Sequence, residues 1–150
     1  MSVIPFVLDA IVDALQGSAD LAAVLGPGAA DRVLDGPAVA DLSSPDGVAV
    51  GASRQDESIA FQWPAADLVG IAQHFNINCL AWSGTGSTTF TVCRARVDRI
   101  LEAVSAALAE DRTLGGLVSQ AWITNGLVTQ EQTGRGALVV VEFQITVDRF

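Results

Sequence analysis

Residues 88–147 read TTFTVCRARVDRILEAVSAALAE, DRTLGG, LVSQAWITNGLV, TQEQTGRG and ALVVVEFQITV in succession. In the first block Phe90, Cys93, Val97, Ile100, Leu101, Val104 and Leu108 fall within one stripe, which predicts an amphipathic helix over Thr88–Glu110. At 1.5 Å per residue such a helix is roughly 34 Å long. A ten-residue strand at about 3.3 Å per residue has much the same length, so the helix can cover a sheet from end to end. Asp111-Arg112-Thr113-Leu114-Gly115-Gly116 then turns the chain into two strands, Leu117–Val128 and Ala137–Val147. The second alternates cleanly: Val139, Val141, Phe143, Ile145 and Val147 face one way, and Val140, Glu142, Gln144 and Thr146 the other. That pattern gives one buried face and one wet or partner-facing face. The polar loop Gln130–Gly136 makes the pair an antiparallel hairpin.

Upstream, Gly70–Ser83 is the clearest earlier strand. Ile71, Phe75, Ile77, Cys79 and Ala81 form its core face. The other face changes from His74, Asn76 and Asn78 to Leu80 and Trp82, so its far end is expected to be covered. Gly84–Ser87 turns the chain, with Ser87 or Thr88 as the helix N-cap. At the start of the chain, Ile4, Leu8, Ile11, Val12 and Leu15 predict a helix over Ile4–Gln16, with Gly17 as its stop. Ser18 caps a short helix, Ala19–Leu25, ended by Gly26-Pro27-Gly28. Arg32–Asp35 and Val48–Ala52 read as short strands, Ala38–Asp46 as loop and Ser53–Ser58 as a polar loop. Alternation of Ile59, Phe61 and Trp63 suggests one more strand before Pro64. The fold class that follows is α+β: one domain over residues 1–150, with a mainly antiparallel sheet of four to five strands and helices on one face.

Composition narrows the functional classes. The chain has 17 acidic and 8 basic residues, a formal charge of −9, and no tyrosine. Every basic residue is arginine. A charge of this sign disfavours general adhesion to nucleic acid. No apolar run reaches the roughly 18–20 residues of a membrane span, and the acids Asp9 and Asp13 argue against a signal peptide. Cys79 and Cys93 lie in apolar-periodic segments and read as reduced core thiols, although spacing alone leaves a disulfide open.

No catalytic or metal constellation emerges. His74 is the sole histidine and lacks nearby ligands, so it reads as a surface or structural residue. Gly84-Thr85-Gly86-Ser87 sits where phosphate loops occur, but the lysine of a P-loop is missing and Thr89 replaces the third dinucleotide-motif glycine. No catalytic, cofactor or metal residues are therefore expected. Candidate contact residues are easier to name. Arg94, Arg96 and Arg99 open the long helix among Asp98 and Glu102, as a solvated face or an intersubunit salt-bridge surface. Trp122 shares the partner-facing side of its strand, where tryptophan often anchors interfaces. Phe6 points away from the core stripe of the first helix.

The whole order resembles a known family. The first helix, the Ser18–Leu25 helix, Arg32-Val33-Leu34-Asp35-Gly36-Pro37, the run Phe75–Gly84, the helix Arg94–Glu110, Leu114-Gly115-Gly116 and the hairpin ending in Asp148-Arg149 are similar to tail-terminator or tail-completion proteins of long-tailed, siphovirus-type bacteriophages. The resemblance spans nearly the whole chain, and the order is more specific than any one motif. It departs at Gln73-His74, where many relatives carry a glutamate.

The resemblance implies a non-enzymatic virion structural protein assembled in the host cytoplasm, with no cofactor. It implies a homohexameric ring at the head-proximal end of the tail, capping the tail tube and offering a head–tail joining surface. The implied partners are further copies of the chain, the major tail tube protein and head–tail connector proteins, with DNA passing through the lumen without specific binding. The alternatives are another neck or head-completion connector ring and, less favoured, a small ligand-binding domain.

Overall fold

The computed structural model describes residues 4–36, 46–51, 60–62, 73–84, 89–134 and 136–149. The elements run α1 (Ile4–Gln16), α2 (Ala19–Leu25), a 3-10 turn (Ala29–Arg32), β1 (Val33–Asp35), β2 (Asp46–Val50), β3 (Ala60–Gln62), β4 (Gln73–Gly84), α3 (Phe90–Glu110), β5 (Gln120–Thr133) and β6 (Gly136–Arg149). The α+β class holds. One sheet has the order β1-β2-β4-β6-β5, with β3 pairing β4 off that path. Among the described strands only the β1–β2 pairing is parallel. The six described strands exceed the expected four to five, because β1 and β3, three residues each, both join the sheet.

The helices follow their sequence signals. Val7, Ile11, Val12 and Leu15 bury one side of α1. Gly17 N–H closes the helix on Asp13 O at 3.0 Å. Ser18 Oγ accepts from Leu21 N–H at 3.2 Å, the expected N-cap of α2. Gly26 ends α2 at φ 80°, a left-handed conformation that glycine takes without strain, and its N–H returns to Ala22 O.

All three helices pack on one face of the sheet, in a single core cluster with Val48, Val50, Phe75, Ile77, Cys79 and Ala81 and the inward residues of β6. Cross-strand register explains the cluster. Val48, Ala81, Val141 and Val128 form one inward row, and Phe75, Val147 and Ala121 another. On the opposite face Ala49, Leu80, Trp82 and Val140 form a smaller buried cluster. The apolar end of that face is covered, as the change in pattern along β4 predicts.

Several boundaries differ from the sequence reading. Helix α3 begins at Phe90, with Thr89 rather than Ser87 or Thr88 at the N-cap, and Thr89 makes no side-chain cap bond. Asp46, read as the end of a loop, opens β2 because it pairs with Ser83 across the ladder. Strand β5 starts later, at Gln120, because residues 111–118 are tied locally. Asp111 accepts from Thr113 N–H and Gly115 N–H, and Val118 N–H reaches Thr113 O. Those bonds, led by the one from the Thr113 hydroxyl, hold the Asp111 carboxyl below its usual range. The loop Gln130–Gly136 shrinks to a tip, since Gln130, Glu131 and Gln132 pair with Val139, Leu138 and Ala137. An edge strand tolerates those polar side chains because both of its faces can stay wet. The expected loops 38–45 and 53–58, the Ser87 and Thr88 caps, and Ile59, Trp63, Pro64 and Ile71 lie outside the described residues.

Two close fits can be tested. A Cβ on Gly47 would lie 2.7 Å from Trp82 Cζ2 and 2.8 Å from Arg32 O. The backbone oxygen cannot swing away, so Gly47→Ala should lower stability by about 2 kcal/mol or more in urea titrations. Cys79 and Cys93 are both buried free thiols. Burial pushes the Cys79 thiol up to about 12 from 9.0. The folded state therefore holds this proton over a range in which the unfolded chain releases it. Its contribution to stability is intact below about pH 9 and is lost between there and about pH 12. Thiol reagents at pH 8 should leave Cys79 unlabelled until the protein is unfolded, as mass spectrometry of labelled peptides would show.

Candidate functional site

The long helix is fixed toward both ends of the strand order at its first turns, to β2 and to β5. Asp46 is buried, with its side chain 2% exposed, and receives two arginines. Arg32 Nη1 donates to Asp46 Oδ1, and Arg96 Nε donates to Asp46 Oδ2. The remaining guanidinium groups reach the end of α2: Arg96 Nη2 donates to Val24 O at 2.9 Å, and Arg32 Nη2 to Leu25 O and, at 3.1 Å, to Pro27 O. A buried carboxylate is tolerated only when its charge and lone pairs are met, and here both oxygens are. Arg96 is thus turned inward onto its own subunit. Two positions earlier, Arg94 lies on the other side of α3, where Nη1 donates to Gln130 Oε1 of β5 at 2.6 Å. Arg99 is exposed on the outer surface of the helix. The three arginines therefore do not form one patch. Nothing in the sequence marks Asp46 as the hub, since its arginines come from 14 residues upstream and 50 downstream.

Strand β5 closes the sheet order, and among the described residues no strand pairs with its outer edge. Its exposure is high from Thr124 through Val128. Leu127 is 60% exposed and Val128 57%. A register shift between Ile123 and Asn125 sets Leu127 on the outer face and Val128 on the helix face. Beside Val128, a groove of about 130 Å³ runs between strand and helix, lined by Arg94, Val97, Asp98, Leu101, Val139 and Val141. Trp122 is half-buried on the outer face, opposite Thr146. Phe6 is 53% exposed on α1, and α1 packs against β1 and β2 at the other end of the sheet. The structure does not bring the five candidate contact residues together.

The outer face of β4, β6 and β5 carries two polar rungs. Asn125 donates to Gln144 at 3.1 Å, and Gln144 donates to Asn78 at 3.1 Å. Thr146 donates to Asn76 at 2.8 Å, so the hydroxyl of Thr124, also 2.8 Å away, donates to Thr146. At the end of the ladder His74 Nδ1 pairs with Asp148 of β6, a partner that sequence distance conceals. These side chains are neutral or paired and answer one another. Among the described residues no group of three or more His, Cys, Asp or Glu is placed to hold a metal. No described helix is long and apolar enough to cross a membrane.

No protein-family model matches this chain, and no curated protein matches it in sequence. Among solved structures, it is similar to a chain of the virion of a native gene transfer agent particle. The TM-score is 0.62 at 15% identity, over 94% of this chain and 92% of that one. At this identity the likeness is one of fold, and it runs through nearly the full length of both chains.

The hub generates a stability prediction. Asp46→Asn removes the charge facing two part-buried guanidinium groups, and should lower unfolding free energy by about 3 kcal/mol in urea titrations. Arg99→Ala, on the solvated surface, should stay within about 0.5 kcal/mol of the unaltered protein.

Proposed function

We propose that this protein is a virion structural component that forms a ring on the tail tube, stops its polymerisation and supplies the surface that joins the tail to the head. The observation that carries the reading is the shared fold along 94% of the chain with a component of a gene transfer agent virion. The order of elements, which resembles tail terminators from the first helix to the last hairpin, supports the same conclusion.

The mechanism is steric. A head-to-tail contact that closes by rotation gives a ring, whereas one that does not close gives a filament. A ring of six copies, each carrying −9, presents an acidic wall to passing DNA. The neutral rungs on the outer sheet face add no cation that would hold a phosphate. One ring face matches the last layer of the tube. The other lacks the growth surface, so addition of tube subunits ends there.

Mixing the purified protein with tail-tube subunits before polymerisation tests this reading. Negative-stain microscopy should show short tubes with a cap at one end, their length falling as the protein is added. Tubes that elongate unchanged would overturn the terminator role. Binding to the head connector with no effect on tubes would assign the protein to another ring of the neck.

A further inference from the structure

Gly126 lies in the middle of β5, yet nothing among the described residues requires a glycine there. Its φ is not among the left-handed angles, and an added Cβ would meet only Glu142 O and Val141 Cγ1, both at 3.7 Å, ordinary contact distance. Glycine weakens a strand and often marks a place where another backbone comes close. Around it, Asn125–Gln130 carries no charge, proline or lysine, the usual guards of an exposed edge. Leu127 and Val128 present exposed apolar side chains on opposite faces of this one strand. Each adjoins a hollow: the groove of about 130 Å³ by Val128 and Leu101, and a depression of about 310 Å³ by Leu127, Asn78 and Gln144.

We infer that Asn125–Gln130 is a strand-pairing edge, and that its occupant is a second copy of this chain, met at the opposite end of its sheet. A packed helix or loop would cover one face of β5 and leave the other exposed apolar residue wet. A paired strand covers both, because its own side chains alternate over the two hollows while its backbone takes up the edge hydrogen bonds. Pairing of β5 with β5 of another copy would be isologous and stop at a dimer. Contact between opposite ends of the sheet is heterologous and can close into a ring, so the inference rests on the ring reading above. It also gives Phe6 a place. Helix α1 lies on the same sheet face as α3, at the β1 end, so continuing the sheet brings the exposed Phe6 of one copy toward the groove of the next.

The test compares the unaltered protein with Gly126→Ala and Leu127→Lys, in the presence of tail-tube subunits. Both changes lie on exposed positions, so both variants should keep their thermal midpoints within a few degrees. Native mass spectrometry should show that each needs at least about tenfold more protein for half-assembly. Hydrogen exchange of the unaltered protein should slow across residues 125–130 on assembly. Normal rings from both variants, with those amides still exchanging freely, would overturn the edge inference and leave the ring reading standing. An unaltered protein that never assembles, with tubes or alone, would overturn both.

Discussion

A carboxylate at the first residue of β2 joins three elements that lie apart in sequence. Asp46 takes Arg32 from the segment after α2 and Arg96 from the first turns of α3, and those arginines also take up the carbonyls that end α2. Helix C-termini leave carbonyl groups without partners inside the helix, and guanidinium groups satisfy them while matching the negative end of the dipole. One cluster therefore fixes α2, β2 and α3 together. The next residue, Gly47, allows the approach, since a side chain there would strike both the Arg32 carbonyl and the Trp82 ring. From the opposite side of α3, Arg94 reaches Gln130 of β5. The helix is thus held across the sheet by polar contacts on either flank and by a buried apolar stripe between them.

What the sequence discloses follows from the range of each interaction. Local signals, such as the stripe in α3, the Ser18 cap, Gly26 and the alternation in β6, specify their own elements, and those elements are found where the spacing puts them. Alternation along β4 even reveals that one end of its second face is covered, as Leu80 and Trp82 confirm by their burial. The start of β5 and the length of its hairpin depend instead on hydrogen bonds from Asp111 and on pairing with β6. The periodicity of Leu117–Val128 contains neither. The bulge after Ile123 moves Leu127 to the outer face and Val128 to the inner one, an inversion that uninterrupted alternation cannot reveal. Arg96 is the clearest case. It reads as one of three arginines on a helix surface, and the distant Asp46 and Val24 carbonyl draw it inward.

The two faces of the sheet divide the work differently. On the helix face the core is continuous from α1 to β6, and it carries most of the apolar burial. On the outer face a smaller buried cluster of Ala49, Leu80, Trp82 and Val140, with Leu34 and Leu138 against it, adjoins amide and hydroxyl rungs that run from β5 through β6 to β4, and Glu142 lies between Leu80 and Leu127. Side chains that satisfy one another hold strand register without asking for a ligand. That keeps the rungs ordered by contacts among themselves.

On the proposed ring, stability and assembly draw on separate residues. The hub ties α2, β2 and α3 together, and core and rungs reach β5 through Ala121, Thr124 and Asn125, whereas the exposed large apolar side chains among the described sheet residues, Leu127 and Val128, lie farther along β5, at the end of the strand order. Such a separation has a thermodynamic consequence. Among the described residues β5 has a strand neighbour on one side only, so the proposed pairing with another copy gains apolar burial and backbone hydrogen bonds without first breaking any within the subunit. A subunit built this way can be stable alone and still gain from closure into a ring. In the proposed ring no copy is left with an unpaired β5 edge, and on that proposal closure is what ends assembly.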